Sequence, residues 1–181
     1  MSNKFPLSQK YIDFINTTNV SAEFLEGTTA SGKTTVGAGV KFMRMVSQSP
    51  KKLHAIAAKT TGKAEETIIQ QDNGILDLHR NAVYCGNGDK DYKLPHIKFE
   101  DKIIYILGYS SRDKWEMVLG AQFGCVYIDE INTADIEFIR EMSTRNDYML
   151  ATLNPDDPSL PVYKAVSYTH LRAHETPEHL V

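Results

Sequence analysis

Apolar residues in this chain fall into short blocks separated by polar or turn-forming breaks, and two kinds of spacing alternate along it. Compact apolar runs over residues 22–26, 53–58, 125–128 and 148–153 predict strands, each ended by a glycine, a polar turn or Asn154-Pro155. Between them the spacing turns helical. Val36, Val40, Met43 and Met45 predict a helix over 33–46 that buries one face and is stopped by Pro50. A polar turn around Gly62 leads into a second helix through Ile68-Ile69 to about Leu78, and a third is predicted over 135–142 behind Asn132 and Thr133 as caps. Shorter helices are predicted over 11–15 and 111–119. After a loose segment holding Gly86, Asn87, Gly88 and Asp89, the runs 97–99 and 103–107 flank Glu100-Asp101-Lys102 and predict a hairpin. Strands alternating with helices predict an α/β fold: a mostly parallel sheet with helices on both faces and one antiparallel insertion.

Composition narrows the picture. With 181 residues the chain has room for one domain of ordinary size. Hydrophobic residues at 41% and charged residues at 24% are those of a globular chain with a core. A net charge of −3 removes a generally basic surface as the basis of nucleic-acid binding, so any such contact is local. Lys51, Lys52, Lys59 and Lys63 are a modest basic cluster that reads as a solvated face. Cys85 and Cys125 form no spaced pair of the zinc-binding kind, and His54, His79 and His96 stand apart without metal-site spacing. No apolar stretch approaches the roughly 18 residues of a membrane span, and the first residues lack a secretory signal. The expectation is a soluble protein of a reducing cytoplasm with no membrane partner.

The sharpest chemical signal is Gly27-Thr28-Thr29-Ala30-Ser31-Gly32-Lys33-Thr34, a full match to G-x-x-x-x-G-K-[ST] lying between a predicted strand and a predicted helix. Binding phosphates there needs backbone N–H groups turned into a concavity at a helix start, and glycines permit that path. Residues Gly27 to Thr35 are therefore the candidate nucleotide-binding segment, with Lys33 reaching the β- and γ-phosphates and the Thr34 hydroxyl ligating Mg²⁺. Val126-Tyr127-Ile128-Asp129-Glu130 then delivers two adjacent acids at a strand end: Asp129 for the magnesium, Glu130 as general base or water-orienting group. Thr152 and Asn154 close another strand and could sit beside the γ-phosphate where strand ends converge. Of six arginines, Arg145 and Arg112 are the candidates for a finger that stabilises the transferring phosphoryl group; Trp115 reads as core or core-edge packing.

From about Phe24 to Lys164 the chain resembles the ATPase domain of tailed-phage terminase large subunits. The residues that carry the likeness are the glycine loop, Ile103-Ile104-Tyr105-Ile106-Leu107-Gly108-Tyr109 with Lys114-Trp115 and Gly120, Phe123-Gly124-Cys125 running into Asp129-Glu130, and Thr152-Leu153-Asn154-Pro155, which is similar to the family's coupling motif. The resemblance implies a P-loop NTPase of the additional-strand, catalytic-glutamate type that hydrolyses ATP with Mg²⁺ to move double-stranded DNA into a procapsid. It also implies a homo-oligomeric ring on a portal protein, a small terminase subunit as partner, and the cytoplasm of a phage-infected or prophage-carrying bacterium. Two positions depart from many relatives: no arginine stands within Thr28-Thr29-Ala30-Ser31, and none in Val118-Leu119-Gly120. Other readings of the same motifs are a helicase-like DNA-dependent ATPase, a P-loop phosphotransferase, and a nucleotide-binding fragment without turnover.

The domain expectation is a lead segment over 1–21, an ATPase domain over 22–165 that is incomplete at its C-terminal end, and no nuclease domain. Residues 166–181 hold three of the six histidines, lack an apolar period, and resemble translated sequencing-adaptor read-through. They are expected to be a non-native tail.

Overall fold

The structure is a computed structural model that describes residues 8–27, 32–154 and 172–175, without the side chains of Lys114 and of 172–175. Its centre is an eight-stranded sheet of order β3-β4-β5-β2-β6-β7-β1-β8, with strands β1 Ala22–Glu26, β2 Leu53–Ala58, β3 Val83–Cys85, β4 His96–Phe99, β5 Lys102–Gly108, β6 Phe123–Ile128, β7 Asn146–Leu153 and β8 Arg172–Glu175. From β5 to β8 every neighbouring pair is parallel, whereas β4 runs antiparallel to both β5 and β3. The expected hairpin is β4 with β5. β3 adds a strand in the segment where the sequence pattern predicts none, because three residues on a half-exposed edge carry too little apolar signal.

Strands buried on both faces read as unbroken apolar runs, and β6 is buried at all six positions. One face carries Leu25, Ile56, Ile104, Tyr127 and Leu150 under the helices α1 Gln9–Asn16, α2 (35–48), α3 (61–69) and α4 Ile75–Leu78. The other carries Phe24, Ala57, Leu107, Val126, Ile128 and Met149 under α5 Arg112–Glu116 and α6 Ile136–Thr144. α2 starts as a π-helical segment, Thr35–Phe42, and continues as Met43–Gln48, which closes at Ser49 before Pro50.

Three local expectations change. The turn around Gly62 is the first turn of α3, Thr61–Ala64 continuing through Glu65–Ile69, because the Thr60 hydroxyl caps it by accepting from Lys63 N (3.1 Å). The helix predicted to run to Leu78 is interrupted over 70–74 and resumes at Ile75. The cap of α6 is Asp135, whose carboxylate accepts from Glu137 N (2.9 Å); Asn132 and Thr133 belong to a preceding 3₁₀ turn, Ile131–Thr133.

The lead segment is joined to this core. Tyr11 and Phe14 of α1 are buried against α2, and the fully buried Lys41 ammonium reaches Phe14 O (2.6 Å), Thr17 O and the Glu23 carboxylate (3.2 Å). β8 pairs with β1 from Glu23 to Glu26. Backbone pairing to a strand edge requires no apolar period, so this strand has no signature in the sequence.

Candidate active site

Parallel pairing brings the C-terminal ends of β1, β6 and β7 to one edge of the sheet. Glu26 stands opposite Leu153, and Ile128 opposite Ala151, so the residues that follow each strand meet. β7 lies between the loop-bearing β1 and the acid-bearing β6: it is the additional strand. Its period of two puts Thr152 on the same face as Leu25, Tyr127 and Leu150, toward α2.

Gly27 donates its N–H to Leu153 O (3.3 Å), which holds the start of the loop against β7. Thr28, Thr29, Ala30 and Ser31 lie outside the described residues. Gly32 has φ 78°, a left-handed conformation that glycine adopts without the penalty of roughly 1–2 kcal/mol a side chain brings. The chain then enters α2 through Lys33, Thr34 and Thr35. Lys33 is 8% exposed, and its ammonium binds Gly27 O and Asn154 Oδ1 (3.0 Å). Burial lowers its pKa, against the opposing pull of Asp129, Glu130 and Glu26.

Asp129 is held from several sides. Its N–H donates to Ala57 O (2.8 Å), and its Oδ1 accepts from the Thr152 hydroxyl (2.7 Å) and the Tyr127 phenol (3.1 Å). Burial raises its carboxyl above the usual carboxylate range, and those two hydrogen bonds oppose the rise. The Thr34 side chain lies beside the buried Tyr127 phenol, which puts the helix start next to the acid that Tyr127 holds. Glu130 is exposed and left-handed, at φ 48° and ψ 50°. Its N–H donates to Thr152 Oγ1 (3.1 Å), and Asn154 Nδ2 lies 3.5 Å from its Oε1. From the other face, Tyr109 Oη lies 3.1 Å from the Asp129 carbonyl and 2.7 Å from Thr133 Oγ1, which donates to Glu130 O (3.0 Å).

Lys33, Thr34, Asp129, Glu130, Thr152 and Asn154 are thus one connected set. Sequence reasoning gave Tyr127, Tyr109 and Thr133 no part in the site. Tyr127 had a signal in its position two residues before Asp129, which puts both on one strand face, and Thr133 had one in its position three residues after Glu130, whose carbonyl it binds; Tyr109 acts across the fold, and no local spacing reveals it.

The two arginines fall elsewhere. Arg145 precedes β7, accepts the Phe123 N–H through its carbonyl (2.8 Å), and pairs with Glu141 (2.9 Å). That is the opposite edge of the sheet, about 26 Å from the acids at 3.3 Å per residue along β7. It cannot reach the loop of its own chain. Arg112 pairs with Glu116 and Glu137 on the rim of a cavity of about 360 Å³ that Tyr109, Thr133 and Lys59 also line, beside the acid pair. A larger cavity of about 490 Å³ between α2 and Phe99 lies away from the acids.

No protein-family model matches this chain, and no curated protein matches it. Solved structures do. The large terminase of a thermophilic bacteriophage superposes with a TM-score of 0.75 at 16% identity, over 94% of this chain and 46% of that one. The same phage protein in complex with ATP-γ-S gives 0.70 at 16% identity, over 94% of this chain and 45% of that one. Its ADP complex gives 0.72 at 17% identity over the same shares, 94% and 45%. The chain spans a little under half the length of these neighbours, and among its described residues no helix is long and apolar enough to cross a membrane. In fold, as a P-loop α/β domain with an added strand between loop and acids, this chain is similar to the large terminase of that thermophilic bacteriophage.

Proposed function

We propose that this chain is the ATP-hydrolysing part of a large terminase and that hydrolysis drives double-stranded DNA into a procapsid. The observation that carries the reading is the convergence of Lys33, Asp129, Glu130 and Asn154 at the ends of β1, β6 and β7. Backbone N–H groups of the loop from Gly27 to Thr35 cradle the phosphates, and Lys33 leaves Gly27 and Asn154 to neutralise charge on the transferred phosphoryl group. Glu130, exposed at the sheet edge, accepts the proton of the attacking water.

The site suits magnesium. Asp129 is a buried carboxylate whose side-chain hydrogen bonds come from neutral hydroxyls, so it offers a hard oxygen donor whose charge a cation would relieve. Thr34 and Asp129 hold the ion, which supplies charge neutralisation on the phosphoryl oxygens when bound. Asn154 binds Lys33 through its carbonyl oxygen and faces Glu130 through its amide, so it registers whether Lys33 is engaged with phosphate. Thr152 and Asn154 are the coupling residues in this scheme. Arg112, on the rim beside the acids, is the candidate finger toward a neighbouring subunit. The partners are double-stranded DNA, a portal protein and a small terminase subunit, with the motor working as a homo-oligomeric ring in the bacterial cytoplasm.

The test is Glu130→Gln. The variant is expected to bind a fluorescent ATP analogue as the parent does and to release phosphate at least ~100-fold more slowly. Unchanged turnover removes Glu130 from its role; a phosphorylated acceptor in place of free phosphate turns the reading to a phosphotransferase. Stimulation by single strands but not by duplex turns it to a helicase.

A further inference from the structure

At the antiparallel end of the sheet, three side chains that sequence spacing keeps apart come together. Cys85 closes β3, His96 opens β4, and the two are register partners across the ladder. Gly88 turns the chain between them at φ 71°, where an added Cβ would lie 2.5 Å from Lys93 O. Asp89 follows, its Oδ1 accepting the N–H groups of Asp91 (2.9 Å) and Tyr92 (2.7 Å), while its Oδ2 lies 3.5 Å from His96 Nε2. Ligand atoms of Cys85, Asp89 and His96 all lie within 4.8 Å of one another.

His96 is fully buried, and its Nδ1 lies 2.8 Å from Leu94 O. A carbonyl only accepts, so Nδ1 carries a proton, and Nε2 is the ring nitrogen that faces the Asp89 carboxylate. Among the described residues Nε2 has no hydrogen-bond partner. A backbone carbonyl that fixes the ring through Nδ1 is the usual outer partner of a metal-ligating histidine. Lys98 pairs with Asp89 Oδ2 from the half-exposed side, and it is the cation a metal must displace.

We propose that Cys85, Asp89 and His96 bind one zinc ion that ties β3 to β4. Thiolate, imidazole and carboxylate together suit zinc and not calcium or magnesium. Tetrahedral bond lengths of about 2.0–2.3 Å place ligand atoms about 3.3–3.6 Å apart, so the His96–Asp89 pair is already at its spacing and the thiol closes by about 1 Å. The thiol proton passes to solvent, the Lys98 ammonium is released, and water takes the fourth position.

The test uses the full chain stripped by a chelator and titrated with cobalt(II), then with zinc. One cobalt per chain with a thiolate-to-cobalt charge-transfer band, displaced by zinc, is the expected result. Cys85→Ser is expected to remove the band and weaken zinc binding by more than ~100-fold, while Cys125→Ala retains both. The absence of the band in the unaltered protein overturns the proposal without reliance on any variant. Its loss with Cys125 in place of Cys85, or unchanged zinc affinity in Cys85→Ser, also overturns it.

Discussion

The Thr152 hydroxyl serves both acids at once, donating to Asp129 Oδ1 and accepting from Glu130 N–H. Removing it takes one of the two side-chain hydrogen bonds from Asp129 Oδ1, leaving that of Tyr127, and strands the part-buried Glu130 N–H. Thr152→Val is therefore expected to lower stability by about 1–3 kcal/mol and to depress turnover, with Thr152→Ser retaining most of both, as urea unfolding and phosphate release would read. Asp129 carries a cost of the opposite kind. Unfolded, it titrates near 3.9, whereas burial raises its folded value. The folded state then holds more protons through that window, so this group's contribution to stability is greatest at acid pH and falls as pH rises through the folded value. In protein free of nucleotide and metal, Asp129→Asn should gain stability relative to the parent between pH 4 and pH 7; an equal difference at both would show that Asp129 is not strained by burial. The glycine loop and the acid pair were legible because their chemistry lies in contiguous residues. Tyr109 was not, since it reaches Asp129 and Glu130 from the end of another strand, and Tyr127 and the Cys85–Asp89–His96 group were not, since their spacing, though short, matches no motif.

Elements were legible where burial on both sides wrote a continuous apolar run, as in β2, β6 and β7, and illegible where polar side chains did the shaping. Thr133 has the chemistry of a helix cap, but its hydroxyl is taken by the Glu130 carbonyl and Asp135 does the capping. His54 likewise joins two strands where sequence spacing assigned it no role: Nδ1 accepts from Cys125 N (3.0 Å) and Nε2 donates to Lys51 O (3.0 Å). Burial lowers its pKa to about 4, and protonation would set N–H against N–H. Its contribution to stability is present above the unfolded value of about 6.5 and is lost as pH falls through the folded one, on the order of 3 kcal/mol in all. An NMR titration should find its ring changing near pH 4; a midpoint near 6.5 would show the β2–β6 contact to be loose. Lys41 anchors α1 and α2 on β1, with its charge and that of Glu23 fully buried and Tyr148 Oη donating to Glu23 (2.7 Å). Lys41→Met should destabilise by about 3–5 kcal/mol in chemical unfolding, and adding Glu23→Leu should recover much of that.

For the whole molecule, the alternation of strand and helix was enough to predict a two-faced, mostly parallel sheet, whereas strand order and the β8 pairing were not readable, because order is set by crossovers and edge pairing by backbone alone. Sheet polarity also separates the two arginines. Arg145→Ala should leave the turnover of the isolated chain unchanged, and a large loss in that assay would place Arg145 nearer the loop than the opposite sheet edge allows. One further consequence lies in the pairing of β7 on both sides. A paired strand cannot slide by one residue without turning every side chain to the wrong face, so the smallest permitted slip is two residues, about 7 Å. Thr152 and its hydrogen bonds would not survive such a step. A rearrangement at this site that keeps the sheet intact therefore cannot be a shift of β7 along β1 or β6.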